Sequence, residues 1–131
     1  MMMSYWPGQN GFGFDPVGTM PEVVHNALIF SLDGQVDLLP ALPKAWPKGE
    51  LRGTRARGQL RIDRLAWDVA AGKLQLELSS GRDQTLAFRP LRAIKVKESR
   101  VSADATLQPR SDGGFDVILQ ANRKAVVELK W

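Results

Sequence analysis

Leu60-Arg61-Ile62-Asp63-Arg64-Leu65-Ala66-Trp67-Asp68-Val69-Ala70-Ala71-Gly72-Lys73-Leu74-Gln75-Leu76-Glu77-Leu78-Ser79-Ser80-Gly81 carries the pattern on which the fold turns. Leu74, Leu76 and Leu78 alternate with Lys73, Gln75 and Glu77, and the pairs Leu60/Ile62 and Leu65/Trp67 alternate in the same way. A period of two is that of a strand with one buried face, and Ala71-Gly72 between the runs marks a turn. From Ile62 to Leu65 the step is three, so the parity changes and a bulge or a break between two strands is expected there.

The alternation continues downstream at Leu86/Phe88, Ile94/Val96, Ala103/Ala105/Leu107, Phe115/Val117/Leu119 and Val127/Leu129/Trp131. Ser80-Gly81-Arg82-Asp83, Pro90, Ser99-Arg100, Asp112-Gly113-Gly114 and Asn122-Arg123 punctuate it as turns. About eight short strands without an intervening helix predict a mainly β fold, an antiparallel two-sheet β-sandwich.

Upstream the period changes. Thr19-Met20-Pro21-Glu22 has the form of a helix start, with Thr19 as cap, Pro21 in the first turn and Glu22 closing a capping box. Met20, Val23, Val24, Ala27, Leu28 and Ser31 share a helical face, which predicts one α-helix ahead of the sandwich, ending at Leu32 before the Asp33-Gly34 turn. Such a helix is marginal alone in water, so its 20–32 apolar stripe is expected to dock on another body or on a second copy. Val36-Asp37-Leu38-Leu39 reads as a short extended segment, and Pro40, Pro43 and Pro47 stiffen a connector anchored by Trp46.

Charge divides the chain in two. Residues 1–43 contain Asp15, Glu22, Asp33 and Asp37 and no Lys or Arg, a net of −4, while residues 44–131 hold all 18 Lys and Arg against ten acids, a net of +8. The expected organisation is therefore a lead-in piece over 1–43 and the sandwich over 44–131. With 131 residues, 44% hydrophobic and 24% charged, the chain supports one ordinary core and is neither disordered nor collagen-like. No cysteine and a single histidine, His25, leave no thiol nucleophile, no disulfide framework and no thiolate or His-based metal site, and no cofactor is expected. No membrane-length apolar run is present, and the Met1-to-Pro7 start lacks the basic and apolar regions of a secretory signal, which leaves the compartment open.

The densest charge feature is Lys44, Lys48, Arg52, Arg55, Arg57, Arg61 and Arg64, opposed within that span by Glu50 and Asp63. Arginines give bidentate donors suited to phosphates or acidic glycans, yet outward strand positions at a sandwich edge explain the same residues. Few aromatics interleave with them, so nucleic acid ranks last among the partners. Trp46 and Trp67, with Arg55 and Arg57, form the carbohydrate-binding candidates, since indoles stack on sugar rings; an alternating tryptophan in a sandwich equally belongs to the core.

One run is specific. Asp33-Gly34-Gln35-Val36-Asp37-Leu38-Leu39-Pro40-Ala41-Leu42-Pro43-Lys44-Ala45-Trp46-Pro47-Lys48-Gly49, followed by Leu51-Arg52-Gly53-Thr54-Arg55-Ala56-Arg57-Gly58, resembles the passage from catalytic barrel to C-terminal β-sandwich in glycoside hydrolase family 95, the inverting alpha-L-fucosidases and their relatives. Phe12-Gly13-Phe14-Asp15 resembles the family's F-x-x-D motif ahead of the last barrel helix. The resemblance implies that Asp15 belongs to the catalytic base side. It also implies a much longer enzyme, whose glutamate acid and base-assisting asparagines lie earlier in the barrel and have no counterpart here. Inverting hydrolysis needs two carboxyl environments about 6.5–9.5 Å apart around the sugar. The expectation is accordingly a non-catalytic supporting domain that braces a helical barrel, with no activity from this chain alone and with the Arg52–Arg64 strip facing the barrel. A free-standing carbohydrate-binding sandwich is the alternative.

Overall fold

The computed structural model describes residues 4–5, 12–13, 15–90 and 95–131, with side chains from residue 19 onward. Strands β1 (Ser4–Tyr5) and β2 (Phe12–Gly13) pair as a small antiparallel ribbon ahead of helix α1 (Asp15–Leu28). Ten further strands follow: β3 (Ile29–Leu32), β4 (Gln35–Leu38), β5 (Lys48–Ala56), β6 (Leu60–Asp68), β7 (Lys73–Ser80), β8 (Gln84–Arg89), β9 (Glu98–Val101), β10 (Ala105–Pro109), β11 (Phe115–Leu119) and β12 (Lys124–Lys130). They form two five-stranded sheets, ordered β10-β11-β8-β4-β3 and β5-β6-β7-β12-β9. Pairing is antiparallel except between β4 and β8, so the mainly β, two-sheet sandwich read from the sequence is the observed architecture.

The alternating residues are what the sheets bury between them. Ile29, Val36, Leu38, Leu86, Phe88 and Val117 from the first sheet meet Leu60, Ile62, Leu65, Leu76, Leu78 and Val127 from the second in one continuous core. Burial of this apolar surface, at about 25 cal/mol per Å², is the main force holding the sheets together. The parity change resolves as a bulge: Ile62 pairs with Leu78 but Arg64 with Glu77, which leaves Asp63 as the extra residue. β5 stays in register with β6 across that row, with Arg52 opposite Arg64 and Thr54 opposite Ile62, so its own parity must shift too. Gly53, at φ 67°, supplies the left-handed residue that allows it.

Several local expectations are corrected: the helix already opens at Asp15, so Thr19, expected as its cap, lies within it. The helix ends at Leu28, and Ile29–Leu32 is strand β3, because Asp33-Gly34 closes a hairpin in which Ile29 pairs with Leu38 and Leu32 with Gln35. Ile29 is completely buried, and the Leu39 amide donates to the Leu28 carbonyl at 2.7 Å, so the hairpin satisfies backbone groups that a continuing helix would have used. The sandwich thus takes in residues on both sides of residue 43, since β3 and β4 lie in the same sheet as β8. Ser99-Arg100, expected as a turn, lies in β9, where Ser99 pairs with Leu129 and Arg100 with Glu128 along the free edge of β12. Lys48 and Gly49, expected in the connector, open β5. Ile94, one member of an expected alternating pair, lies outside the described residues.

Candidate functional site

Asp15 is the first residue of α1, and its side chain lies outside those described. The four carbohydrate candidates do not converge. Trp67 points inward from β6, only 6% exposed, and its indole N–H donates to the Trp46 carbonyl oxygen at 3.0 Å. Its ring lies so close to Gly49 that a Cβ there would fall 2.4 Å from the indole. Trp67 is therefore a wall of the core. Trp46, 42% exposed, sits on the connector beside it. Arg55 is exposed at the far end of β5, six residues beyond Gly49 or about 20 Å at the rise of a strand, and Arg57 is exposed in the turn that follows.

The basic strip becomes a charge ladder on the outer face of the second sheet. Lys48 pairs with Asp68 at 3.3 Å, Arg61 with Asp63 at 2.9 Å, and Arg64 with Glu50 at 2.8 Å and Glu77 at 3.6 Å, while Arg52 also holds Glu50. The hydrogen bonds from Arg52 and Arg64 hold the Glu50 carboxyl below the usual carboxylate range, and Glu50 in turn raises Arg64. Asp68 is lowered first by the Ala71 amide, at 2.9 Å, and then by Lys48. Among the described residues no ion pair engages Lys44, Arg55 or Arg57. On this face Ala66 stands among longer side chains, and an open hollow of about 580 Å³ lies there, lined in part by Glu50, Arg64, Gln75 and Glu128.

α1 presents a different surface. Among its described side chains only Leu28, at its C-terminal end, is buried; Met20 is 48% exposed, Val23 60% and Val24 39%. Phe30 and Leu32 on the adjoining edge strand β3 are exposed too. His25 reaches the Thr54 hydroxyl on β5 at 2.7 Å, and Ser31 accepts the Arg57 amide at 3.0 Å, so this edge is tied across to the second sheet. Sequence periodicity had marked the helical stripe, but Phe30 and Leu32 were hidden within it as continuing helix.

The model for the glycoside hydrolase family 95 C-terminal domain matches residues 31–128, from inside β3 to near the end of β12. The chain belongs to this family. None of the curated proteins compared with it matches. A family 95 C-terminal domain is associated with a catalytic domain, and its match opens within β3, three residues after α1 ends. Among the described residues of this family 95 domain, no three His, Asp or Glu side chains are grouped to hold a metal ion, and no helix is long and apolar enough to cross a membrane.

Proposed function

We propose that the chain is the supporting C-terminal sandwich of an alpha-L-fucosidase-like glycoside hydrolase, with α1 as the end of a helical catalytic barrel and the sandwich proper beginning at Ile29. The observation that carries this reading is positional: the family match begins at residue 31, and the uncovered apolar residues Met20, Val23, Val24 and Phe30 lie just ahead of it. Contiguous exposed apolar surface of this kind marks a contact with another body. Its role is to seat and stiffen the barrel, with the contact made through α1 and β3. The Arg52–Arg64 strip, in which Arg52, Arg61 and Arg64 are already paired with carboxylates, is the less suited surface.

Catalysis then belongs to the barrel. Asp15, at the start of α1, contributes on the base side only when the barrel brings a general acid to the opposite side of the sugar. The chain alone should release no detectable aryl alcohol from aryl fucosides. Hydrolysis by the chain that disappears in Asp15→Ala would overturn the supporting role. Mixed with a separately produced family 95 barrel, the chain should form a complex that Val23→Asp prevents. The alternative sites of contact, a second copy or none, would show in sedimentation as a dimer or as a monomer unaffected by the barrel.

A further inference from the structure

The hollow on the outer face of the second sheet has a chemistry that bracing a barrel does not require. Two cross-strand rows frame it. In one, Glu50, Ala66, Gln75 and Glu128 stand side by side on β5, β6, β7 and β12; in the next, Lys48, Asp68, Lys73 and Lys130 do the same. Rows two residues apart are about 7 Å from each other along the strands. Ala66 interrupts the first row with a methyl group, so the hollow has an apolar floor between polar walls. Its volume, about 580 Å³, falls within the range of small-molecule sites, about 300–1,000 Å³.

The walls are not uniformly neutralised. Lys48 engages Asp68, and Lys130 engages Glu98 at 3.0 Å. Lys73, directly opposite Lys130, has no ion pair among the described residues. Like charges opposite one another on a sheet face are destabilising, and with Glu98 answering Lys130 and Lys48 answering Asp68, Lys73 is the positive charge left over that an anionic group would relieve. Across the hollow the groups are mixed. Glu128 has no ion pair among the described residues, although Arg100 stands opposite it on β9, and Arg64 is fixed by Glu50 at 2.8 Å and by the Gln75 side-chain oxygen at 3.0 Å. Carboxylates accept, guanidinium donates and an amide does both, which is the mixture that sugar hydroxyls need, each hydroxyl being donor and acceptor at once.

We infer that this hollow binds a hexuronate-bearing oligosaccharide, with the uronate carboxylate at Lys73 and Lys130, hydroxyls on Glu128, Gln75 and Arg64, and the C–H face of a ring over Ala66. A plain anion site would not need the acidic wall, and a neutral-sugar site would not need the paired lysines. The inference is independent of the supporting role, because the site lies on the charged face of the second sheet and leaves the α1 and β3 surface free.

Calorimetric titration of the whole chain with trigalacturonate tests it, with maltotriose and inorganic sulfate as comparisons. Trigalacturonate should bind, maltotriose at least tenfold more weakly, and sulfate at equal charge should fail to displace it. Lys73→Ala should weaken binding about tenfold, the scale of one charge-assisted hydrogen bond. Ala66→Phe, which fills the hollow at an outward position, should abolish it. No binding of trigalacturonate, displacement by sulfate at equal charge, or unchanged affinity in Lys73→Ala or in a folded Ala66→Phe would overturn the assignment. Glu128→Gln separates sugar from anion: removing a negative charge strengthens a pure anion site, whereas exchanging a charged acceptor oxygen for an amide N–H should weaken trigalacturonate binding several-fold.

Discussion

The outer face of the second sheet and the surface formed by α1 and β3 are both outward-facing, yet they are built on opposite rules. On the sheet face nearly every base of β5 and β6 is answered by a carboxylate one strand or two residues away, as in Arg64 with Glu50 and Glu77, or Arg61 with Asp63. On the α1 and β3 surface Met20, Val23, Val24, Phe30 and Leu32 stand exposed, with Asp37 and Gln35 of β4 opposite the last two. The first is largely satisfied by its own charges. The second leaves surface that costs free energy to hydrate, and it lies where the family's sandwich model begins. Net basicity was the more conspicuous sequence feature, but the apolar surface is the one that asks for a protein partner.

The comparison breaks most sharply if the apparent core residues under the charged face prove dispensable. Trp67→Ala should cost about 3–5 kcal/mol in urea unfolding, because it empties a fully packed position over Gly49 and orphans the Trp46 carbonyl. Trp46→Ala, at an exposed connector position, should stay within about 0.5 kcal/mol. A loss under about 1 kcal/mol in Trp67→Ala would return that residue to the carbohydrate candidates. Within α1 the contrast repeats on a smaller scale. Leu28→Ala should cost about 2–4 kcal/mol, and Val23→Ala, at 60% exposure, should be nearly silent in the chain alone. If Val23→Ala destabilises as much as Leu28→Ala, the helix face is already covered and the proposed contact with a barrel loses its ground.

A still smaller effect sharpens the apolar side. Replacing Phe30 and Leu32 together by Ser should leave the unfolding midpoint almost unchanged, since both project from the edge strand into solvent. The same double variant should lower binding of a hydrophobic dye and any self-association. Unchanged dye binding would move the exposed patch elsewhere.

Legibility followed which physical signals are local. Alternation in β6, β7, β11 and β12 was readable because each strand has one dry face, and even the bulge at Asp63 showed as a step of three between Ile62 and Leu65. The end of α1 was not, because Leu28 and Ser31 satisfy helical spacing as well as they satisfy a helix followed by a strand; the tie between Leu39 and the Leu28 carbonyl that decides it is tertiary. β9 hid for a similar reason. Ser99 and Arg100 carry turn-like composition, and only the open edge of β12 makes them a strand. The basic strip was readable as outward strand positions, whereas its partners Glu77 and Asp68 come from cross-strand register. The hollow over Ala66 had no signal of its own, since an alanine becomes a gap only when its neighbours on three other strands are known to be long.

The least effect expected is the pH dependence of the charged face, and its sign follows from the carboxylates. Glu50 and Glu98 are held below their ordinary value of 4.5, Glu50 by Arg52 and Arg64 and Glu98 by Lys130. Asp68, and with it Asp112 in the β10–β11 turn of the other sheet, are held below 3.8, chiefly by the backbone amides of Ala71 and Gly114. A carboxyl whose folded value is depressed binds fewer protons folded than unfolded, so its contribution is full above the unfolded value and is lost as pH falls through the folded one. Stability should therefore be level from neutrality to about pH 5 and decline below about 4.5, with the aspartates adding to the loss below about 3.8. All four groups are solvent-exposed, so the slope should be shallow and flatten further in high salt. Glu50→Gln should remove part of that acid slope while leaving the α1 surface and its partner contact untouched. A variant that instead altered barrel binding would mean that the charged face, and not α1 with β3, meets the catalytic domain.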